Sequence, residues 1–312
     1  MFYCFLRIIL KLNSYMIFLN KIIISIIPFL PKGVVRFFSK KYVAGIDNSD
    51  ALNAVKILNY RKESATIDIL GEHTSSIKEC NDITNAYVEL LNKINIEKLD
   101  CNLSIKPSHI GSDLNYKSLL INYTKILKEA SMHNNFIRID MESSKLTDTT
   151  IKLYNDLKLT SSNIGIVFQA YLHRTEKDIN KLEKGSNIRL CKGIYKEDSS
   201  IAYQNYNEIN KNYLKLLKIA LEKELYVAIA THDKALIKEC VKLVEKERIE
   251  KNKFEFQYLY GVPMNEHIEM YKNKNFKIRA YVPFGKDWYD YSIRRIKENP
   301  KIASYVLKNI FS

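Results

Sequence analysis

Glycine is scarce in this chain, nine among 312 residues. No G-x-G-x-x-G occurs, so the phosphate-cradling turn of a dinucleotide-binding open sheet is missing. The cysteines exclude as much by their pattern. Cys4, Cys80, Cys101, Cys191 and Cys240 are odd in number, widely spread and never arranged as C-x-x-C. Neither a zinc ribbon nor a disulfide framework suits them, and a reducing compartment does. The six histidines offer no H-x-x-x-H or H-E-x-x-H spacing, so no metal site is expected. Acids are absent from residues 1–46, yet Arg7, Lys11, Lys21, Lys32, Arg36, Lys40 and Lys41 fall there.

That N-terminal stretch has apolar residues at a helical period as far as Pro28. Its cations recur too often for a membrane span, and it lacks the basic start and small-residue cleavage site of a secretory signal. It is expected to form an amphipathic basic helical arm over residues 1–60, packed on the protein and able to touch an anionic bilayer. Elsewhere the net charge of +14 is spread among interspersed acids, without a long basic block. Nucleic acid is therefore not an expected partner.

From residue 61 onward one unit recurs: a short β-branched run, a polar residue, a loop and a helical stretch. The runs are "ATIDILGE", "NLSIKPS", "FIRIDME", "IGIVFQAYL", "NIRLCKG", "YVAIATHD", "FEFQYLYG" and "KIRAYVPFG". Eight strands alternating with helices predict a (β/α)8 barrel over 61–312, with no linker to divide it. Active sites of such barrels lie at the carboxyl ends of the strands. Those ends read Glu72, Lys106, Asp140 with Glu142, Gln169, Arg189 with Lys192, Thr231-His232, Gln257 and Tyr281. After the last run, Tyr291, Arg294, Arg295 and Glu298 share one helical face behind Asp287, a residue suited to an N-cap. Two guanidinium forks near a helix N-terminus suit a carboxylate, although Glu298 pairing with Arg294 on a surface helix would read the same way. Cys191 reads as barrel packing, and Tyr203, Tyr206 and Tyr213 as packing or surface residues.

The motifs "SIKPSHIG", "IRIDMES", "VFQAYLHRT", "IRLCKGIYKE", "ATHD", "FEFQYLYGVP" and "AYVPFGKDWYDYSIRRIKENP", with "YVAG" and "LGE" before them, resemble those of the proline dehydrogenase family, in order, from about residue 40 to 300. The resemblance implies a distorted barrel that holds FAD. It also implies oxidation of L-proline to 1-pyrroline-5-carboxylate by hydride transfer to flavin N5, the first step of proline breakdown to glutamate. Electrons would pass to a membrane quinone. A stand-alone enzyme is expected, since the chain ends where a second, aldehyde-dehydrogenase module would begin in bifunctional relatives. The expected setting is cytoplasmic, with peripheral contact on the inner face of a membrane.

Residue by residue, the resemblance makes Lys106, Arg294 and Arg295 substrate-carboxylate ligands and Asp140 with Arg189 the active-site pair. Met141, Val167, Gln169, Arg189, Lys192, Gly193, Ile194, Thr231 and His232 match flavin-binding positions. Tyr195, Leu259, Tyr281 and Tyr291 match the walls of the proline pocket. Glu72 matches a gate carboxylate that pairs with Arg295. Two departures stand out: Ile194 where the family has alanine, and Tyr258 where it has an aliphatic residue. Two rival readings are a Schiff-base lyase using Lys106 or Lys192, and a non-catalytic barrel that binds an amino acid.

Overall fold

In a computed structural model the described residues are 32–298; the expected arm over residues 1–31 lies outside them. Eight parallel strands close a barrel in sequence order. They are β1 (Ser64–Ile69), β2 (Cys101–Ile105), β3 (Ile137–Ile139), β4 (Ile164–Gln169), β5 (Asn187–Cys191), β6 (Tyr226–Ala230), β7 (Phe254–Leu259) and β8 (Ile278–Phe284). Each predicted run overlaps one strand, β1 and β2 beginning one residue before theirs. The helices outside them are α1 (Lys32–Ser39), α2 (Asn48–Tyr60), α3 (Ile77–Ile96), α4 (Tyr116–Met132), α5 (Thr147–Lys158), α6 (Thr175–Asn180), α7 (Tyr206–Glu222), α8 (Lys234–Lys246), α9 (Asn265–Asn273) and α10 (Trp288–Glu298). Among the described residues no helix is long and apolar enough to cross a membrane.

The alternation within each strand decides what fills the barrel. Ile137, Ile139, Ile188 and Leu190 are fully buried and belong to the core between sheet and helices. Arg138, Asp140 and Arg189 take the other face, because successive side chains of a strand point to opposite sides. The register carries this parity around the ring, pairing Val167 with Arg189, Leu259 with Tyr281, Tyr281 with Thr66, and Thr66 with Asn102. The interior is therefore polar. At its floor Arg279 Nε donates to both oxygens of Glu255 (2.9 and 3.1 Å). Arg138 Nη2 donates to Asn187 Oδ1 (2.7 Å) and Nη1 to backbone carbonyls. Gly165 makes room for that guanidinium, since a Cβ there would stand 2.8 Å from Arg138 Nη1.

Helix α2, placed with the arm in the sequence reading, buries Ala51, Leu52, Ala54, Val55 and Leu58 in the same core. Three tyrosines reach from helices to the strand ends below the barrel mouth. Tyr123 of α4 donates to the Ile105 carbonyl and Tyr213 of α7 to the Leu190 carbonyl, each at 2.7 Å, and Tyr87 of α3 to that of Ile69 at 3.4 Å. These bonds give three buried phenols a partner and tie the helices to the strand ends; the Ile105 carbonyl also accepts from the Asp140 amide (2.9 Å). Tyr258 faces outward, its hydroxyl donating to Glu63, which also receives Lys272 of α9 (3.1 Å). The tyrosine hydroxyl thus points to the helix side, while the residue also borders the cavity at the barrel mouth.

Candidate active site

At the carboxyl ends of the strands lies a cavity of about 590 Å³. Glu72, Lys106, Asp140, Met141, Val167, Gln169, Arg189, Lys192, Gly193, Ile194, Tyr195, Thr231, His232, Leu259, Tyr281 and Tyr291 all line it. The side chains of Arg294 and Arg295 lie outside the described residues, so the clamp and its Glu72 gate are not seen directly. Their helix is seen. It begins at Trp288, directly after Asp287, and packs Tyr291 against Val43 and Leu70 at the cavity rim. Both arginines follow Tyr291 by one turn.

The charged groups are arranged in pairs. Asp140 Oδ1 accepts from Arg189 Nη2 and from Ser104 Oγ (2.5 Å), while its Oδ2 accepts from the Tyr281 hydroxyl (3.0 Å). Burial would raise the Asp140 carboxyl. Arg189 and Lys106, with the two hydroxyl donors, outweigh it and hold the group below its usual range. The same burial pushes Tyr281 well above the ordinary phenol value, with Asp140 and Asp68 adding to it, so its hydroxyl stays a donor. The Arg189 guanidinium also sits 5.1 Å from the Tyr281 ring centroid.

Lys106 pairs with Asp68, an inward residue near the end of β1 that the sequence reading did not single out. Lys106 Nζ donates to Asp68 Oδ2 at 2.6 Å. Lys192 pairs with Asp233, whose Oδ2 also accepts from Asn210 (2.9 Å) and from the Tyr206 hydroxyl, while its Oδ1 caps α8. Tyr206 is thus more than a surface residue, for its ring also lies 4.2 Å from Lys192 Nζ. The signal for both acids was in the sequence. Asp68 interrupts an apolar strand at inward parity, and Asp233 follows "ATH" where a helix needs a cap. Cys191 packs against the barrel core, as expected; it has the parity of Arg189 and also borders the cavity, with a thiol raised by burial and so kept neutral.

The residues matched to flavin positions fit a flat, polar-edged ring. Arg189 Nη1 and Gln169 Oε1 are buried without a hydrogen-bond partner among the described residues, a donor and an acceptor lining one wall. His232 Nε2 accepts from the Leu259 amide (2.8 Å), which leaves the ring proton on Nδ1. Gly193 has φ 110°, and a Cβ there would stand 2.2 Å from the Tyr171 ring, so the chain bends at this point only as glycine. Ile194 lines the cavity and is 54 % exposed there.

Known proteins resemble this chain over most of its length. The family model for proline dehydrogenase matches residues 51–308. Proline dehydrogenase 1 of Bacillus subtilis (strain 168) is 36 % identical over 276 residues, covering 88 % of this chain and 91 % of the relative. The proline dehydrogenase of Deinococcus radiodurans is 31 % identical over 278 residues, with 87 % and 89 % covered. Among solved structures, proline utilization A from Bdellovibrio bacteriovorus, inactivated by N-propargylglycine, superimposes with a TM-score of 0.77 at 26 % identity. The alignment covers 84 % of this chain and 32 % of that one, so the chain spans about a third of that relative's length. Proline utilization A from Corynebacterium freiburgense shares the fold, with a TM-score of 0.71 at 22 % identity over 93 % of this chain and 34 % of that one.

Proposed function

The chain belongs to the proline dehydrogenase family, and from that premise we propose that it oxidises L-proline to 1-pyrroline-5-carboxylate with FAD. The observation that carries this is the cavity itself. Every residue named from the resemblance lines it, except the two arginines whose side chains are not described. Lys106, Arg294 and Arg295 hold the substrate carboxylate through charge-assisted hydrogen bonds, stronger for being partly desolvated. Tyr195, Leu259, Tyr281 and Tyr291 enclose the ring. Glu72 closes the mouth against Arg295.

FAD, when bound, supplies the hydride acceptor at its N5. Met141, Val167, Gln169, Lys192, Gly193, Ile194, Thr231 and His232 hold it, and Arg189 places positive charge beside it. Proline loses a hydride from the ring carbon next to nitrogen and a proton from nitrogen, which leaves a C=N bond. Asp140 is poorly placed to take that proton, because three donors already occupy its oxygens. Its work is to orient Arg189 and Tyr281. A fixed cation and a fixed ring position supply the acceleration when the cofactor carries the chemistry. Electrons leave to a membrane quinone, with peripheral membrane contact through the arm.

The lyase reading loses support here. A Schiff-base lysine must be neutral to attack, and Lys106 and Lys192 each touch a carboxylate. The testing experiment assays purified protein for bound FAD and for proline-dependent reduction of a soluble quinone, with borohydride trapping alongside. Flavin and quinone reduction support the proposal; trapped lysine adduct or proline binding without turnover supports a rival.

A further inference from the structure

We propose that Asp68 is a positioning residue for the substrate carboxylate, acting through Lys106. The inference rests on the reading of the cavity as a site for a cyclic amino acid. Asp68 and Lys106 stand on the adjacent strands β1 and β2, with side chains 1 % and 13 % exposed. A buried carboxylate is costly, and apolar residues of similar volume often stabilise a barrel as well as an ion pair does. The pair therefore invites a functional account.

Lys106 has two needs in this setting. Burial alone lowers a lysine's proton affinity, and a neutral amine offers no charge to an incoming acid. Asp68 supplies the missing counter-charge. Its contact, reinforced by the more distant Asp140, outweighs burial and holds the ammonium above its usual value. Asp140 is committed elsewhere, to Arg189, Ser104 and Tyr281. The 2.6 Å bond to Asp68 uses one of the three ammonium donors, fixing the head group and leaving two for a ligand. Asp68 Oδ1 makes no hydrogen bond to a described residue, though the Tyr281 hydroxyl also acts on this carboxylate; burial raises the Asp68 carboxyl, and Lys106 is the strongest influence holding it down. The titratable groups around Lys106 are Asp68, Asp140, Glu72 and Glu142, with His109 behind it and the Tyr281 hydroxyl acting on both aspartates.

The test uses cyclopentanecarboxylate, a five-membered acid without an amine, so the ligand itself does not titrate at alkaline pH. Its binding to the FAD-loaded full chain is followed by calorimetry from neutral to strongly alkaline pH. Arginines keep their charge across this range, and the loss of affinity reports Lys106. Asp68→Asn moves that alkaline loss at least about one pH unit lower, Asp68→Glu restores it, and Lys106→Met abolishes it. An identical alkaline limb in the wild type and Asp68→Asn overturns the proposal. Should Asp68→Asn fail to fold, carbon-13 labelling of lysine Cε in the wild type gives the answer. A Lys106 resonance, identified by its loss in Lys106→Met, that titrates above the free-lysine value of about 10.4 supports the proposal. One at or below that value overturns it. A wild-type chain that takes up neither cyclopentanecarboxylate nor proline sinks this inference together with the function it rests on.

Discussion

Lys106, Arg189 and Lys192 each enter the cavity with a carboxylate already in reach, namely Asp68, Asp140 and Asp233. Cations neutralised in this way orient ligands well but attract them weakly. On the proposed reading, net attraction for an acid would then fall to Arg294 and Arg295, which follow Tyr291 at the cavity. Arg294→Ala is expected to weaken proline binding by about 2–5 kcal/mol, the range for losing one partner of a desolvated charge pair. A Michaelis constant unchanged from the wild type would remove Arg294 from the site. Arg189→Lys is expected to fold and to keep the contact with Asp140, yet to lower the flavin's midpoint potential. A lysine presents a single point charge where the guanidinium spreads five donors over a plane. Spectroelectrochemical titration of the bound flavin reads this directly, and an unshifted potential would count against a role for Arg189 beside the cofactor.

The short turn Pro107–Ile110 after β2 decides where Lys106 and Glu72 sit, and it does so through a histidine. His109 packs so tightly against the loop after β1 that a Cβ on Gly71 would lie 2.1 Å from its Nε2. Burial, with the charge of Lys106, pushes His109 down to about 3. Its folded value thus lies below its unfolded value of about 6.5, so the unfolded chain binds the extra proton. The stability it contributes is complete above about pH 6.5 and is lost as pH falls toward 3, by about 1.4 kcal/mol per unit. Between pH 7 and 5 the wild type is expected to lose about 2 kcal/mol more than His109→Gln in urea unfolding. Parallel losses in the two proteins would contradict this burial.

Much at this scale was readable beforehand. The eight β-branched runs each became a strand, and the polar residue at each end reached the mouth, because strand parity and barrel closure leave few other arrangements. Asp68 and Asp233 were both visible in the sequence, but which cation each would meet was not readable. Lys106 meets Asp68 and Lys192 meets Asp233 across separate strands and loops, and those matches depend on the stagger of the sheet.

At the scale of the whole molecule, charge is the remaining feature. The chain carries an excess of fourteen positive charges, and its acid-free stretch falls in residues 1–46. On the proposed reading electrons must reach a quinone in a bilayer, and the basic residues of this stretch would attract anionic lipid. Removing residues 1–30 is expected to reduce flotation with liposomes containing anionic lipid while leaving proline-dependent reduction of a soluble acceptor intact. Equal flotation of both forms would confine the arm to packing. The account depends most on proline giving its electrons to a flavin held at the mouth of this barrel. Anaerobic titration of the purified protein with L-proline tests that directly. Stepwise bleaching of the oxidised flavin spectrum, with one equivalent of 1-pyrroline-5-carboxylate formed per flavin, is the predicted result; a flavin spectrum that proline leaves oxidised would contradict it.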